Sequence, residues 1–435
     1  MRPDLDRTHA PARPGSAMLP GQLPRLLPAG FAAGPASMAG HLARYGPLPI
    51  IGRGGRHPAS VIEEVNRSGL TGRGGGRFPT GRKLAAVAAG HAPVVVANGT
   101  EGEPASAKDK VLLARSPHLV LDGAVVAAEI VGAAQAVVVV HRSVREIIDD
   151  AAAERIQSRA DRVRVRVVTA ASRFVGGEAS AVVHWADGGP PAPMARPPQL
   201  WEQGLGSAPT LVQNVETLAH LALIARYGAS WFRSVGTPQE AGSMLVTILG
   251  AVRGPGVHEV AIGTPVAELL SLAGGASAPI QALLIGGYFG SWVDAAAAAC
   301  LPFSSAGLAV LGLSAGAGAG LVAALPADAC GLRETARVAG YLADESAGQC
   351  GPCLFGLDAI AWALDQLADG RSRDLRLLRR WLGQVDGRGA CGHPDGAVGL
   401  VRSALDLFGP ELQRHARGWC CGTTSVLPVP PRRQR

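Results

Sequence analysis

Three short β-branched runs, at 93–97, 136–141 and 163–169, alternate with helix-length segments at 117–132 and 143–157. Strands separated by helices in this rhythm pair in parallel through right-handed crossovers, so this part of the chain reads as an open, largely parallel α/β sheet. Such sheets bind ligands in loops beyond the carboxyl ends of their strands, which directs attention to the residues after each run.

The rest of the chain divides around this sheet. The 435 residues suffice for two or three cores. Residues 1–44 are rich in Pro, Ala and Gly and read as a flexible arm, followed by the α/β domain over 45–235. Residues 240–330 begin strand, Gly-Pro-Gly turn, strand, helix, strand, the order of a small β-grasp module. The uncharged stretch 295–327 contains Pro302 and the Gly316 to Gly320 run, so it reads as buried, loop-broken structure rather than a membrane span. From 332 the period turns helical, giving an all-α bundle of roughly four helices to 418 and a Pro/Arg-rich tail over 419–435. The net charge of +7 comes from scattered Arg without interleaved aromatics, which argues against nucleic acid as a partner. The amino-terminal stretch lacks an unbroken apolar run, and the seven Cys suit a reducing compartment, so a cytoplasmic location is expected.

Four loops could carry chemistry. Gly72-Arg73-Gly74-Gly75-Gly76-Arg77-Phe78-Pro79-Thr80-Gly81-Arg82-Lys83 offers unshielded amides to a flat ring or a phosphate. Asn98-Gly99-Thr100-Glu101-Gly102-Glu103-Pro104 comes after the first strand with two carboxylates able to bond ring nitrogens or ribose hydroxyls. Phe174-Val175-Gly176-Gly177-Glu178-Ala179 comes after the third strand, and Gln213-Asn214-Val215-Glu216-Thr217 opens a helix suited to an anion. Each alone is equally well an ordinary turn or cap.

The fifth segment, Cys350-Gly351-Pro352-Cys353 with Cys391-Gly392-His393 further on, has three readings. A thioredoxin-type redox pair would need a strand–helix setting that this helical region lacks. A zinc site of Cys350, Cys353, Cys391 and His393 is chemically sound. An iron–sulfur cluster on the three thiolates is the other choice.

Taken in order, these five segments resemble the NADH-binding flavoprotein subunit of respiratory complex I and its counterparts in NAD-reducing hydrogenases and formate dehydrogenases, over roughly residues 50–410. The resemblance implies an FMN-binding α/β domain, an SLBB-type β-grasp module and a helical bundle carrying a [4Fe–4S] cluster. It places Gly72, Arg73, Gly74 and Gly75 beside the flavin, Phe78 against NADH and Lys83 on the phosphate side. It turns Asn98 and Glu101 to FMN and Glu103 to NADH, Gly177 and Glu178 to the flavin, and Gln213, Asn214 and Thr217 to the phosphate. Cys350, Cys353 and Cys391 match three cluster ligands. The chain departs from the pattern at Ala347, where the first cluster cysteine is expected, at Ala179 and Thr100, where carboxylates are expected, at Gln213 for an Asn, and at Gly76-Arg77 for Ala-Gly.

Two functions are consistent with this reading. The first is an oxidoreductase that takes a hydride from NAD(P)H onto FMN and hands single electrons to the cluster, a three-iron form being expected where Ala347 leaves an iron without its thiolate. Its partner would be a small iron–sulfur carrier or a thioredoxin-like [2Fe–2S] subunit, with no transmembrane segment. The second is an NADH-independent electron-transfer or assembly subunit, with zinc in place of the cluster; in a cluster, the iron without its thiolate would take Ser346, Glu345, His393, water or a thiolate from Cys420 or Cys421.

Overall fold

The computed structural model describes residues 18–27, 34–195, 198–313, 316–420 and 422–431. The first sheet holds β1 (Val94–Gly99), β2 (Gln135–Val140), β3 (Arg164–Thr169) and β4 (Thr210–Asn214), in the order β3-β2-β1-β4. All three pairings are parallel. The chain moves outward from β1 to β3 and then returns to the other side of β1, so the strand order reverses between β1 and β4. β4 overlaps the Gln213-Asn214 segment expected to open a helix; its five residues form a strand because β1 offers them an open edge.

The helices over this sheet are apolar on most sides. Pro117–Val131 starts with Pro and ends at Gly132 in the left-handed region, and nearly all of its residues are buried. It packs on Val215–Phe232, and the approach is close: a Cβ at Gly123 would lie 2.0 Å from the Leu218 carbonyl oxygen. Asp122 in the same helix binds Arg155 at 2.8 Å, His41 at 2.7 Å and Arg226 at 2.5 Å. Burial alone would raise the Asp122 carboxyl, but these partners hold it well below the ordinary carboxylate range.

The second sheet contains β5 (Ser243–Gly250), β6 (Gly256–Ala261), β7 (Ile280–Ile285), β8 (Ser291–Asp294) and β9 (Leu321–Pro326) in the order β6-β5-β9-β7-β8. β9 runs parallel to β5 at the centre, with the helix Val266–Leu272 across the face, a β-grasp arrangement. The uncharged stretch therefore supplies the central strand, all six of whose residues are buried.

The helices Gly331–Asp344, Leu357–Ala368, Leu375–Val385 and His393–His415 form the bundle. A π-turn over Pro352–Gly356 precedes the second and carries Cys353.

The expectation of a flexible arm over 1–44 needs correction where the chain is described; residues 1–17 and 28–33 lie outside the described residues. Arg25 is fully buried and donates to the Phe232 and Trp231 carbonyls at 3.0 Å, its guanidinium 3.9 Å over the Trp231 ring. Glu259 Oε2 accepts from the amides of Arg25, Leu26 and Leu27 at 2.7, 2.6 and 3.2 Å. The helix Met38–Tyr45 is tied in through His41. A Pro-rich segment without periodicity can thus be held by one buried carboxylate.

No single described helix is long and apolar enough to cross a membrane.

Candidate active site

A cavity of about 530 Å³ opens where the strand order reverses, beyond the carboxyl ends of β1 and β4. Its wall draws on Gly74 and Gly75, Asn98, Glu101 and Glu103, Gly177 and Glu178, and Asn214. Four loops spread over more than a hundred residues of sequence therefore converge on one space. The β-grasp module adds Gly286, Phe289 and Gly318, and the bundle adds Cys391 and His393.

The hydrogen bonds explain the convergence. Asn98 Nδ2 donates to the Gly177 carbonyl at 3.0 Å, and its Oδ1 accepts from the Thr100 amide and hydroxyl at 3.2 and 2.7 Å. Thr100, in place of a carboxylate, thus braces Asn98. Asn214 caps the Val215–Phe232 helix through the Glu216 amide at 3.0 Å. The Gly-rich loop lies over it, held by the Arg73 amide donating to Thr217 Oγ1 at 2.8 Å.

Several expected site residues point elsewhere. The Arg73 guanidinium is buried and reaches the Ser243 carbonyl at 3.2 Å, so it ties the Gly-rich loop to β5. Lys83 Nζ donates to the Val212 carbonyl at 2.6 Å, and burial lowers its pKa. The Thr217 side chain is consumed by the Arg73 amide. Gln213 Nε2 is buried with no hydrogen-bond partner among the described residues. Phe78 is 46% exposed, with Arg82 5.7 Å from its ring centre. Gly72, Arg73, Phe78, Lys83, Gln213 and Thr217 are not among the residues lining the cavity.

The carboxylates are partly committed. Glu101, at a positive φ of 40°, accepts from the amides of Asp109 and Lys110 at 3.0 and 2.9 Å and so caps the helix Lys108–Arg115. Burial, then Asp109, raise its pKa, with Lys108 and Ser106 opposing. Glu103 Oε1 accepts from the Tyr288 amide at 2.9 Å, and burial pushes its pKa up to about 8. Glu178 caps the helix Ala179–Ala186 through the Ser180 and Ala181 amides at 2.8 and 3.1 Å. Arg77 pairs with Glu240 and is drawn towards the β-grasp module.

Lys108 lines the cavity and was missed by the sequence reading. Its ammonium lies 2.7 Å from Asp109 Oδ1, 3.0 Å from Glu216 Oε2 and 3.4 Å from Asn214 Oδ1. Burial pulls its pKa down, but Asp109 and Glu216 more than reverse this. The signal was the Lys108-Asp109-Lys110 run at a helix start, which looks like a solvated turn until the sheet buries it.

Cys350 and Cys353 lie one turn apart around the π-turn, and Cys391 arrives from the loop before the last helix. Burial, then the neighbouring Cys350, push the Cys353 thiol up to about 12, and burial raises Cys391. A metal cluster would reverse this by stabilising the thiolates. Among the described residues, the ligand atoms of these cysteines and His393 do not close to within 4.8 Å of one another. His393 Nε2 instead bonds the Leu342 carbonyl at 2.8 Å, and its ring packs against Phe174 and Phe289. Glu345 accepts from the Phe174 amide at 2.8 Å and Arg173 donates to the Ser346 carbonyl at 3.0 Å, so the cluster loop is tied to the loop carrying Gly177. Cys420 lies instead with Cys330 and His415, and Cys421 is outside the described residues.

The residues fit a flavin: a cleft of suitable size, amides of a Gly-rich loop, and two Asn side chains at adjacent strand ends. Three thiolates around one loop pair fit an iron–sulfur cluster with one non-thiolate position at Ala347.

Comparison with known proteins agrees with this architecture. Residues 65–223 match the Nuo51 FMN-binding domain, 245–282 the SLBB domain, and 333–415 the NADH-ubiquinone oxidoreductase-F iron–sulfur binding region. The chain is 30% identical over 388 residues to the second of two F subunits of NADH-quinone oxidoreductase in Rhizobium meliloti, covering 82% of this chain and 89% of the relative. It is 30% identical to the F subunit of NADH-quinone oxidoreductase of Streptomyces coelicolor, covering 84% of each. It is 35% identical over 254 residues to the alpha subunit of the NAD-reducing hydrogenase HoxS of Cupriavidus necator, covering 55% of this chain and 42% of that one. The crystal structure of an NAD+-reducing [NiFe]-hydrogenase in the H2-reduced state superposes with a TM-score of 0.77 at 28% identity, over 82% of this chain and 63% of that chain. With an FMN-binding domain, an SLBB module and an iron–sulfur region in one chain, this protein belongs to the F-subunit family of NADH-quinone oxidoreductases, which are flavin and iron–sulfur oxidoreductases.

Proposed function

We propose that this chain takes a hydride from a nicotinamide nucleotide at FMN seated in the 530 Å³ cavity and delivers single electrons to an iron–sulfur cluster on Cys350, Cys353 and Cys391. The observation that carries this reading is the shared wall: Cys391 and His393 line the same cavity as Asn98, Gly177 and Asn214. When bound, the flavin supplies the conversion between hydride and single-electron chemistry, and the cluster carries the electrons away. The chain's own part is position and dielectric. Gly74 and Gly75 leave room for a flat ring, and Asn98 and Asn214 present amide groups at the strand ends. Lys108 places a buried cation beside Asn214, where it offsets the charge of Asp109 and Glu216 at the cavity wall. Phe174 and Phe289, 4.9 Å apart in an edge contact, keep water from the side nearest Cys391.

A small iron–sulfur carrier is the proposed electron acceptor. Leu354 and Phe355, immediately after Cys353, are 52% and 72% exposed, and such side chains suit a partner docking close to the cluster. An NADH-independent role is the second reading. It is favoured by the engaged state of the nicotinamide-side groups: Arg77 is on Glu240, Glu103 is on the Tyr288 amide, and Ala179 offers no carboxylate.

Anaerobic stopped-flow absorption of FMN-loaded protein tests the reading. Bleaching of the flavin by NADH or NADPH, followed by a reduced-cluster signal in electron paramagnetic resonance, supports it. Loaded protein that dithionite reduces but neither nucleotide reduces favours the second reading.

A further inference from the structure

The helix His393–His415 has two chemically distinct ends. It begins beside Cys391 and, 23 residues and about 34 Å later, ends on His415. There His415, Cys330 and Cys420 offer ligand atoms that all lie within 4.8 Å of one another. Cys330 and His415 are buried, and Cys420 is half-buried.

The protonation pattern is set by the surroundings. His415 Nδ1 lies 2.5 Å from the Ala368 carbonyl, which can only accept, so Nδ1 carries the proton and Nε2 presents its lone pair. That lone pair is 3.5 Å from Cys330 Sγ. A carbonyl behind one ring nitrogen is the arrangement that orients a metal-binding imidazole. Cys330 is the N-cap of Gly331–Asp344, where its Sγ accepts from the Arg333 amide at 3.4 Å and is thereby held towards His415.

We propose that Cys330, His415 and Cys420 bind one zinc ion, separate from the iron–sulfur region. Tetrahedral zinc, with Zn–S of about 2.3 Å and Zn–N of about 2.05 Å, holds sulfur and nitrogen roughly 3.6 Å apart, which matches the 3.5 Å separation here. Two thiolates and a neutral imidazole balance the charge of the ion. The fourth position faces water or Glu411, whose Oε2 is 3.9 Å from Cys330 Sγ. The ligands come from the start of the first bundle helix, the end of the last and the tail beyond it, so the ion fastens the tail to the bundle. The backbone around it already takes that path: Thr424 bridges Ala329, and the Leu427 amide donates to Glu334 Oε2 at 2.8 Å.

Zinc and iron content of the full chain, purified anaerobically, tests the proposal, together with the absorption of protein reconstituted with cobalt(II). The expected result is about one zinc per chain. It is kept in Cys350→Ala and Cys353→Ala, and falls to background in His415→Ala and in Cys420→Ser combined with Cys421→Ser, so that the sequence neighbour cannot stand in. The cobalt form shows a thiolate-to-metal band that weakens in the Cys420 variant. FMN retention reports folding. If His415→Ala loses flavin as well as zinc, the tail variant decides, because Cys420 is outside the bundle core. Absence of zinc, zinc kept in the tail variant, zinc lost with Cys350 or Cys353, or a disulfide between Cys330 and Cys420 in place of metal each overturns the proposal.

Discussion

Asn98 and Asn214 are register partners at the carboxyl ends of β1 and β4, and Asn214 Nδ2 reaches both the Asn98 carbonyl at 3.5 Å and Asp109 Oδ2 at 2.7 Å. The two amides therefore sit side by side at the one place where the sheet order reverses. The Gly-rich loop is laid directly on this pair.

A Cβ at Gly74 would lie 3.3 Å from Asn214 Cβ, tighter than ordinary contact. Gly74→Val adds two more methyl groups and lifts the loop from the cleft. FMN affinity, measured by quenching of flavin fluorescence, is expected to fall about tenfold or more, equivalent to about 1.4 kcal/mol. Unchanged affinity would remove this loop from the flavin site.

Lys108 is the cation shared by the buried carboxylates of Asp109 and Glu216. Lys108→Met leaves two buried carboxylates without their cation, and a loss of about 3–5 kcal/mol is expected in chemical denaturation. Replacement of all three by apolar residues is expected to recover much of that loss in stability while abolishing flavin retention.

Glu103 gives a pH signature. Burial is the main cause of its rise from 4.5 to about 8, partly offset by the Tyr288 amide and increased by Glu101. Below 4.5 the group is protonated in both folded and unfolded chains. Above that the unfolded chain releases the proton while the folded chain keeps it, so this group's contribution to stability declines up to about pH 8 and then levels off. Melting temperatures of wild type and Glu103→Gln between these limits should diverge with rising pH, in favour of the variant. Parallel curves would show that Glu103 is ionised in the fold.

Ala179 is the first residue of a helix, where a carboxylate is favoured by the amide ends. Ala179→Glu is expected to lower KM for NADH by about two- to tenfold, the worth of one hydrogen bond, with little effect on FMN content. Steady-state kinetics with a one-electron dye would measure it. No change in KM would detach this position from the nucleotide.

Ala347 lies in the irregular loop before Cys350. Ala347→Cys is expected to raise iron and sulfide towards about four each per chain. It should also slow loss of the cluster in air, read by electron paramagnetic resonance. An unaltered three-iron signal would show that another group already fills the position.

The strand–helix rhythm made the parallel sheet legible, because buried parallel strands are unbroken Val-rich runs such as 137–140. β4 was not legible: Thr210 to Asn214 reads as the lead-in to a helix, and only the open edge of β1 makes it a strand. The loops at strand ends were found as motifs, yet motif spelling does not state where a long side chain goes. Lys83 is spelled like a phosphate ligand and Arg73 like a flavin-side cation, but both donate to backbone carbonyls, because burial obliges their charges to find the nearest acceptors. Lys108 and the Cys330–His415 contact depend on residues brought together by packing, 85 apart in the second case, and no local pattern announces them.

The central place of β9 has a consequence for synthesis. Until residues 321–326 arrive, β5 and β7 each present an unpaired inner edge to the cell, next to an uncharged stretch with no gatekeeping charge to prevent self-association. The chain is thus most prone to aggregate while it is still being made, and slower translation or a chaperone at that stage should govern yield more than the stability of the finished protein does.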